Sequence, residues 1–151
     1  MSLRFRYKSI AIARPLVSLG GSRYRPRPVI PLCVIGPQGS WVQDALLDTA
    51  ADDTVFPERV AAAIGLDLTG APTGLSSGAT GGPFLQRYAE VTLRLVDPNE
   101  QREWRAWVGF TSAPLRQPLI GYAGFLQFFS ATFFGEQREV ELTVNGSYPG
   151  T

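Results

Sequence analysis

The chain's reactive groups concentrate in Trp41-Val-Gln-Asp-Ala-Leu-Leu-Asp48-Thr49-Ala50-Ala51-Asp52-Asp53-Thr54-Val55-Phe56-Pro57, where an apolar run ends in Asp-Thr, two small residues and two more carboxylates. A carboxylate placed directly after Ala45-Leu46-Leu47 is expected to be partly buried. Burial raises a carboxyl pKa and costs stability unless the group is hydrogen-bonded or works as an acid or base. The plainer reading is an aspartate that caps a turn. What the chain lacks narrows the chemistry. With 0 His, no imidazole can act as general base, nucleophile partner or metal ligand. The single Cys33 permits neither an intramolecular disulfide nor a Cys-x-x-Cys pair. Asp44, Asp48, Asp52 and Asp53 offer a hard cation another kind of site, but they lack a Gly-containing loop of EF-hand spacing and an apolar strand runs through them. A glycosidase also uses two carboxylates, yet nothing marks the second acid or an aromatic sugar platform. The expectation is carboxylate chemistry with no metal and no cofactor.

The elements that must hold Asp48 are mostly strands. At 151 residues, 44% hydrophobic and 18% charged, the chain is sized for one domain with a substantial core, and wholesale disorder is excluded. In 87–95 the odd positions Ala89, Val91, Leu93 and Leu95 are apolar and the even ones polar. The same alternation runs through 102–108 and 138–144, as half-buried antiparallel sheet requires. Asp97-Pro98-Asn99-Glu100 is a turn that makes a hairpin of two of these strands. Two short helices are expected: 57–64, with Pro57 at its first position and Gly65 as its stop, and an apolar one from Gly124 to about Ser130. Trp41, Trp104 and Trp107 are assigned to core or interface packing.

Charge is uneven: 7 of the 14 basic residues lie in the first 27 positions, and the first acid is Asp44. Leu3, Phe5 and Tyr7 alternate there with Arg4, Arg6 and Lys8, which reads as a strand with one solvated face rather than a binder of phosphate or lipid. Residues 1–28 are therefore a basic N-terminal extension or edge strand. Whether they belong to the domain, form a removable propeptide-like segment or clasp a dimer stays open. Arg14 and Pro15 interrupt the apolar stretch 9–20, so no signal peptide is expected, and 122–134 is too short for a membrane span. A cytoplasmic protein without nucleic-acid or membrane partners is the consequence.

The segment Ala45-Leu46-Leu47-Asp48-Thr49-Ala50-Ala51-Asp52-Asp53-Thr54-Val55-Phe56 resembles the retropepsin-like aspartic proteases, whose active-site strand ends in two hydrophobic residues, Asp, Thr or Ser, Gly and Ala. The family's second mark, two apolar residues and a Gly leading into a short helix, is similar to Leu119-Ile120-Gly121 and the residues after it. The marks stand about 70 residues apart, as in the family, and the likeness covers roughly residues 29–144.

The resemblance implies a mainly β fold for residues 29–151: a closed or partly open antiparallel β-barrel of the acid protease type, with one or two short helices. It implies an endopeptidase acting on peptides or proteins, with Asp48 catalytic and Leu119, Ile120 and Gly121 as the second apolar-Gly motif. One Asp-Thr motif supplies one carboxylate, so a symmetric homodimer is required, with an Asp48 from each subunit. It further implies that Thr49 hydrogen-bonds across the interface and that the backbone near Ala50 and Ala51 meets substrate. The glycine-rich stretch between Leu68 and Tyr88 reads by composition as a mobile surface loop; the family has a flap there, which makes Ser76, Ser77, Gly78, Ala79 and Thr80 substrate-binding. Two positions depart from the pattern. Tyr122 follows Gly121 where viral members commonly carry Arg, and Ala50 replaces the usual Gly. A methyl at Ala50 would strain the loop if that position needs φ > 0, and this sustains the alternative of a non-catalytic dimerisation or peptide-binding domain.

Overall fold

The computed structural model describes residues 2–76 and 82–151. The long hairpin is its backbone: β8 (Phe84–Val96) and β9 (Gln101–Thr111) pair antiparallel from Gln86↔Thr111 to Val96↔Gln101. Their turn closes where Asp97 N–H donates to the Glu100 carbonyl at 3.0 Å. Val91, Leu93 and Leu95 are buried, as are Trp104, Ala106 and Val108 across from them. The alternation in the sequence is thus an inside–outside alternation. Towards its start β8 changes face: Phe84 and Gln86 are buried there and Leu85 is exposed.

β4 (Val29–Gly36) pairs with β8 on one edge and with β5 (Gly39–Leu47) on the other. β5 leads to β10 (Leu119–Ile120), β10 to β6 (Val55–Pro57), and β6 to β9, so six strands close into a barrel. Most pairings are antiparallel, but β5–β10 and β6–β9 are parallel. Closure leaves these six strands no open edge along their paired lengths. β7 (Thr73–Ser76) stands outside the barrel, paired with the first part of β8.

The basic start of the chain forms β1 (Ser2–Arg6), which pairs with β12 (Glu139–Val144), and β12 pairs in turn with β11 (Phe129–Phe134). Leu3 and Phe5 enter the same apolar core as the barrel residues. On the opposite face Arg4 meets Glu141 at 2.7 Å and Glu139 at 3.7 Å, so β12 offsets the charge of Arg4. Residues that follow make a separate ribbon of β2 (Lys8–Leu16) and β3 (Ser22–Arg27). At the junction of barrel and three-stranded sheet, Trp104 packs edge-on against Phe125, Phe129 and Tyr148. Its indole N–H donates to the Gly124 carbonyl at 2.9 Å, which satisfies the one polar atom that burial would strand.

Both helices come out shorter than expected. α1 spans Glu58–Ala63 with Pro57 at the N-cap, since Pro57 still belongs to β6 and pairs with Thr111. Gly65 ends it at φ 78°, the left-handed conformation glycine supplies. The expected helix from Gly124 is a single 3-10 turn, Leu126–Phe128. From Phe129 the chain is extended, because pairing with β12 satisfies its backbone and buries Phe129. Trp41 is half-buried against the core, whereas Trp107 is 55% exposed on the outer face of β9.

Candidate active site

Asp48 is the first residue after β5, and the main chain leading to it is tied to the segment 118–120. Leu46 N–H donates to the Pro118 carbonyl at 2.9 Å and Asp48 N–H to the Ile120 carbonyl at 2.9 Å. Leu119 and Ile120 thereby lie parallel to Leu46 and Leu47, while Leu119 also pairs with Val55 of β6. The chain leaves β5 at Asp48, arches through 48–54 and returns as β6, with β10 inserted between the two strands. The two sequence marks therefore meet in space.

The arch is rigid for nameable reasons. Ala50 N–H donates to Asp48 Oδ1 at 3.0 Å and Ala51 N–H to the Asp48 carbonyl at 3.1 Å, a turn that fixes the half-buried carboxylate at the barrel rim. Tyr122 N–H and Ala123 N–H donate to the carbonyls of Ala51 and Asp52 at 2.9 and 2.8 Å. Gly121 passes so close beneath that a Cβ there would lie 2.2 Å from the Asp53 carbonyl oxygen and 2.8 Å from that of Ala51. Only glycine fits. Thr54, fully buried, donates from Oγ1 to the Ala123 carbonyl at 3.0 Å and accepts from Gly121 N–H at 3.3 Å.

Asp48, Thr49, Ala50 and Ala51 thus stand together with Leu119, Ile120 and Gly121. Thr49 and Ala50 are exposed. Among the described residues the only non-glycine with positive φ is Arg138, so Ala50 bears its methyl without left-handed strain. The strain anticipated for an alanine there does not arise. Of the flap candidates, Ser76 ends β7, whereas Ser77, Gly78, Ala79 and Thr80 lie outside the described residues. Tyr122, at the departure from the viral pattern, is exposed.

A second carboxylate of the arch faces β8. Asp53 Oδ2 accepts from Gln86 Nε2 at 3.0 Å and from the Tyr88 hydroxyl at 2.9 Å, and Gln86 Nε2 also contacts Ser76 Oγ. Burial and the Asp53 carboxylate beside it push the Tyr88 phenol up to about 12, since both disfavour phenolate. The network ties β7 to the catalytic-candidate arch through one fully buried glutamine. Sequence reasoning missed Thr54, Gln86 and Tyr88. The period-two spacing of Phe84, Gln86 and Tyr88 was the available signal, and it was obscured by the change of face within β8.

Asp44 pairs instead with Lys8, and among the described residues no three acidic or cysteine side chains converge to hold a metal ion. No helix among them is long and apolar enough to cross a membrane.

No family model and no curated protein sequence matches the chain. Among solved structures the chain is similar to a retropepsin-like aspartic protease from Rickettsia conorii, with a TM-score of 0.50 over 94% of this chain and 92% of that one, at 16% identity. At that identity the likeness shows the fold: a mainly β, closed-barrel architecture of the retropepsin-like type.

Proposed function

We propose that the chain is an aspartic endopeptidase working as a symmetric homodimer, each subunit contributing Asp48 to a pair that activates one water. The observation that carries this reading is the crossing at the barrel rim, where the Asp48 turn is locked to Leu119-Ile120-Gly121 by main-chain hydrogen bonds. Such locking suits preorganised acid–base chemistry, which loses most of its advantage when the group wanders.

In the proposed dimer one carboxylate takes a proton from water and the other gives a proton to the scissile carbonyl oxygen. Two unit charges ~3 Å apart at an effective dielectric of ~20 repel by about 5 to 6 kcal/mol, so one proton shared by the pair is favoured over two bare charges. That state holds a base and an acid at once. In this reading Thr49 hydrogen-bonds across the interface to brace the pair, and Ser76, Ser77, Gly78, Ala79 and Thr80 are the flap over an extended peptide.

Purified protein incubated with a mixed peptide library between acidic and neutral pH is expected to cut, and Asp48→Asn to lower the rate by roughly 10²- to 10⁴-fold, the usual weight of a positioned acid or base. Cleavage indifferent to that substitution removes the proposal. A dimer that never cuts establishes the non-catalytic alternative instead.

A further inference from the structure

Two adjoining cavities open beside the Asp48 strand on the side away from the core. On β5, Ala45 and Leu47 are buried, so Leu46, two residues before Asp48, points to the opposite face. There it lines a cavity of about 490 Å³ with Leu115, Leu119, Arg27 and Arg116. A second cavity of about 250 Å³ shares Arg27, Arg116 and Gln117 with the first and continues it over Ile10 and Ile12 to Arg25. The floor is aliphatic, and three guanidinium groups stand along the walls.

Charge here is uncompensated. The arginines of β1, β8 and β9 have carboxylate partners within 4.0 Å. Among the described residues Arg25, Arg27 and Arg116 have none; Arg14, Arg23, Arg59 and Arg138 also lack one, but the first three gather around the same two cavities, which no acidic side chain lines. Arg25 and Arg27 are half-buried, hence partly stripped of water without a counter-charge in exchange. A guanidinium in that condition gains most from a planar oxyanion that can take two of its N–H groups at once.

We propose that this groove selects an extended peptide carrying acidic side chains between aliphatic ones, the carboxylates on Arg27 and Arg116 and the aliphatic groups on Leu46, Leu115 and Leu119. As a substrate class for Asp48, it rests on the proteolytic reading; as a binding preference, it can be read without catalysis. A nucleic acid would meet the same charge, but among the described residues no aromatic ring lines the groove to stack a base, and its aliphatic floor has nothing to offer a phosphate chain.

Full-length Asp48→Asn protein, which keeps a peptide intact, is titrated into a fluorescein-labelled decapeptide of alternating Leu and Glu, and into its Leu-Gln and Leu-Lys counterparts. Fluorescence anisotropy is expected to show the Glu peptide binding at least about tenfold tighter than the Gln peptide, with affinity falling as salt rises. Arg116→Ala, a change on an exposed loop, is expected to remove about tenfold of that preference, and Arg116→Glu to improve binding of the Lys peptide. Equal affinity for the Glu and Gln peptides, no binding of either, or displacement of the Glu peptide by a single-stranded oligonucleotide at equal charge overturns the proposal. The wild type's action on the same peptides is scored apart. Acid-selective binding without cleavage refutes proteolysis and keeps the groove; cleavage without acid selectivity does the reverse.

Discussion

At the scale of single residues, the rim of the barrel is built by exclusion as much as by attraction. Gly121 is required by the carbonyl oxygens of Asp53 and Ala51, which occupy the space any Cβ would need. Gly121→Ala is therefore expected to cost roughly 3 kcal/mol, the upper range of overpacking in a tight interior, and to lower the midpoint of urea unfolding accordingly. Thr54 works by attraction, and its hydroxyl takes the Gly121 N–H that the arch would otherwise strand. Much of this was legible. Asp-Thr after an apolar run and Leu-Ile-Gly some 70 residues later could be paired by their likeness to a family. The reason for the glycine was not legible, since it lies in carbonyls that reach it only in three dimensions. The same holds for Ala50, whose backbone conformation could not be read from its identity.

At the scale of elements, β8 does two jobs along one length. Its second half is barrel wall, with Val91, Leu93 and Leu95 inward, and its first half carries β7 and sends Gln86 and Tyr88 to Asp53. Tyr88 gives this junction a signature in pH. Its phenol titrates at about 12 in the folded chain and near 10 when unfolded, so the stability it contributes is complete below about pH 10 and is lost as pH rises through about 12. Tyr88→Phe is expected to reduce the loss of stability between pH 10 and 12, measured by urea titration at each pH. Some slope will remain, because burial also raises Tyr148. An unchanged profile would mean that the Tyr88–Asp53 contact does not hold β8 to the arch. The strands of β8, β9 and β12 were evident from period-two alternation. The helix expected after Gly124 was not, because an apolar run of Leu and Phe is compatible with either state until a partner strand claims its hydrogen bonds.

At the scale of the whole molecule, one chain carries one hydrophobic-Asp-Thr motif, and the proposed reaction needs two. Subunit mixing tests this directly. If active sites form only between two intact subunits, equimolar wild type and Asp48→Asn, allowed to exchange, should retain about a quarter of the activity of the same total amount of wild type. Independent active monomers would retain about half. The lone motif, the absence of histidine, the alternation of the strands and the basic start before Asp44 were all determined by the sequence itself, since each is a matter of residue type and local spacing. Tertiary structure alone decided that β10 slips between β5 and β6, that Gln86 joins β7 to Asp53, and that Arg27 and Arg116 face one aliphatic groove without a counter-charge. These are contacts between segments tens of residues apart, selected by barrel closure and by which backbone groups remain to be satisfied, and no local pattern encodes them.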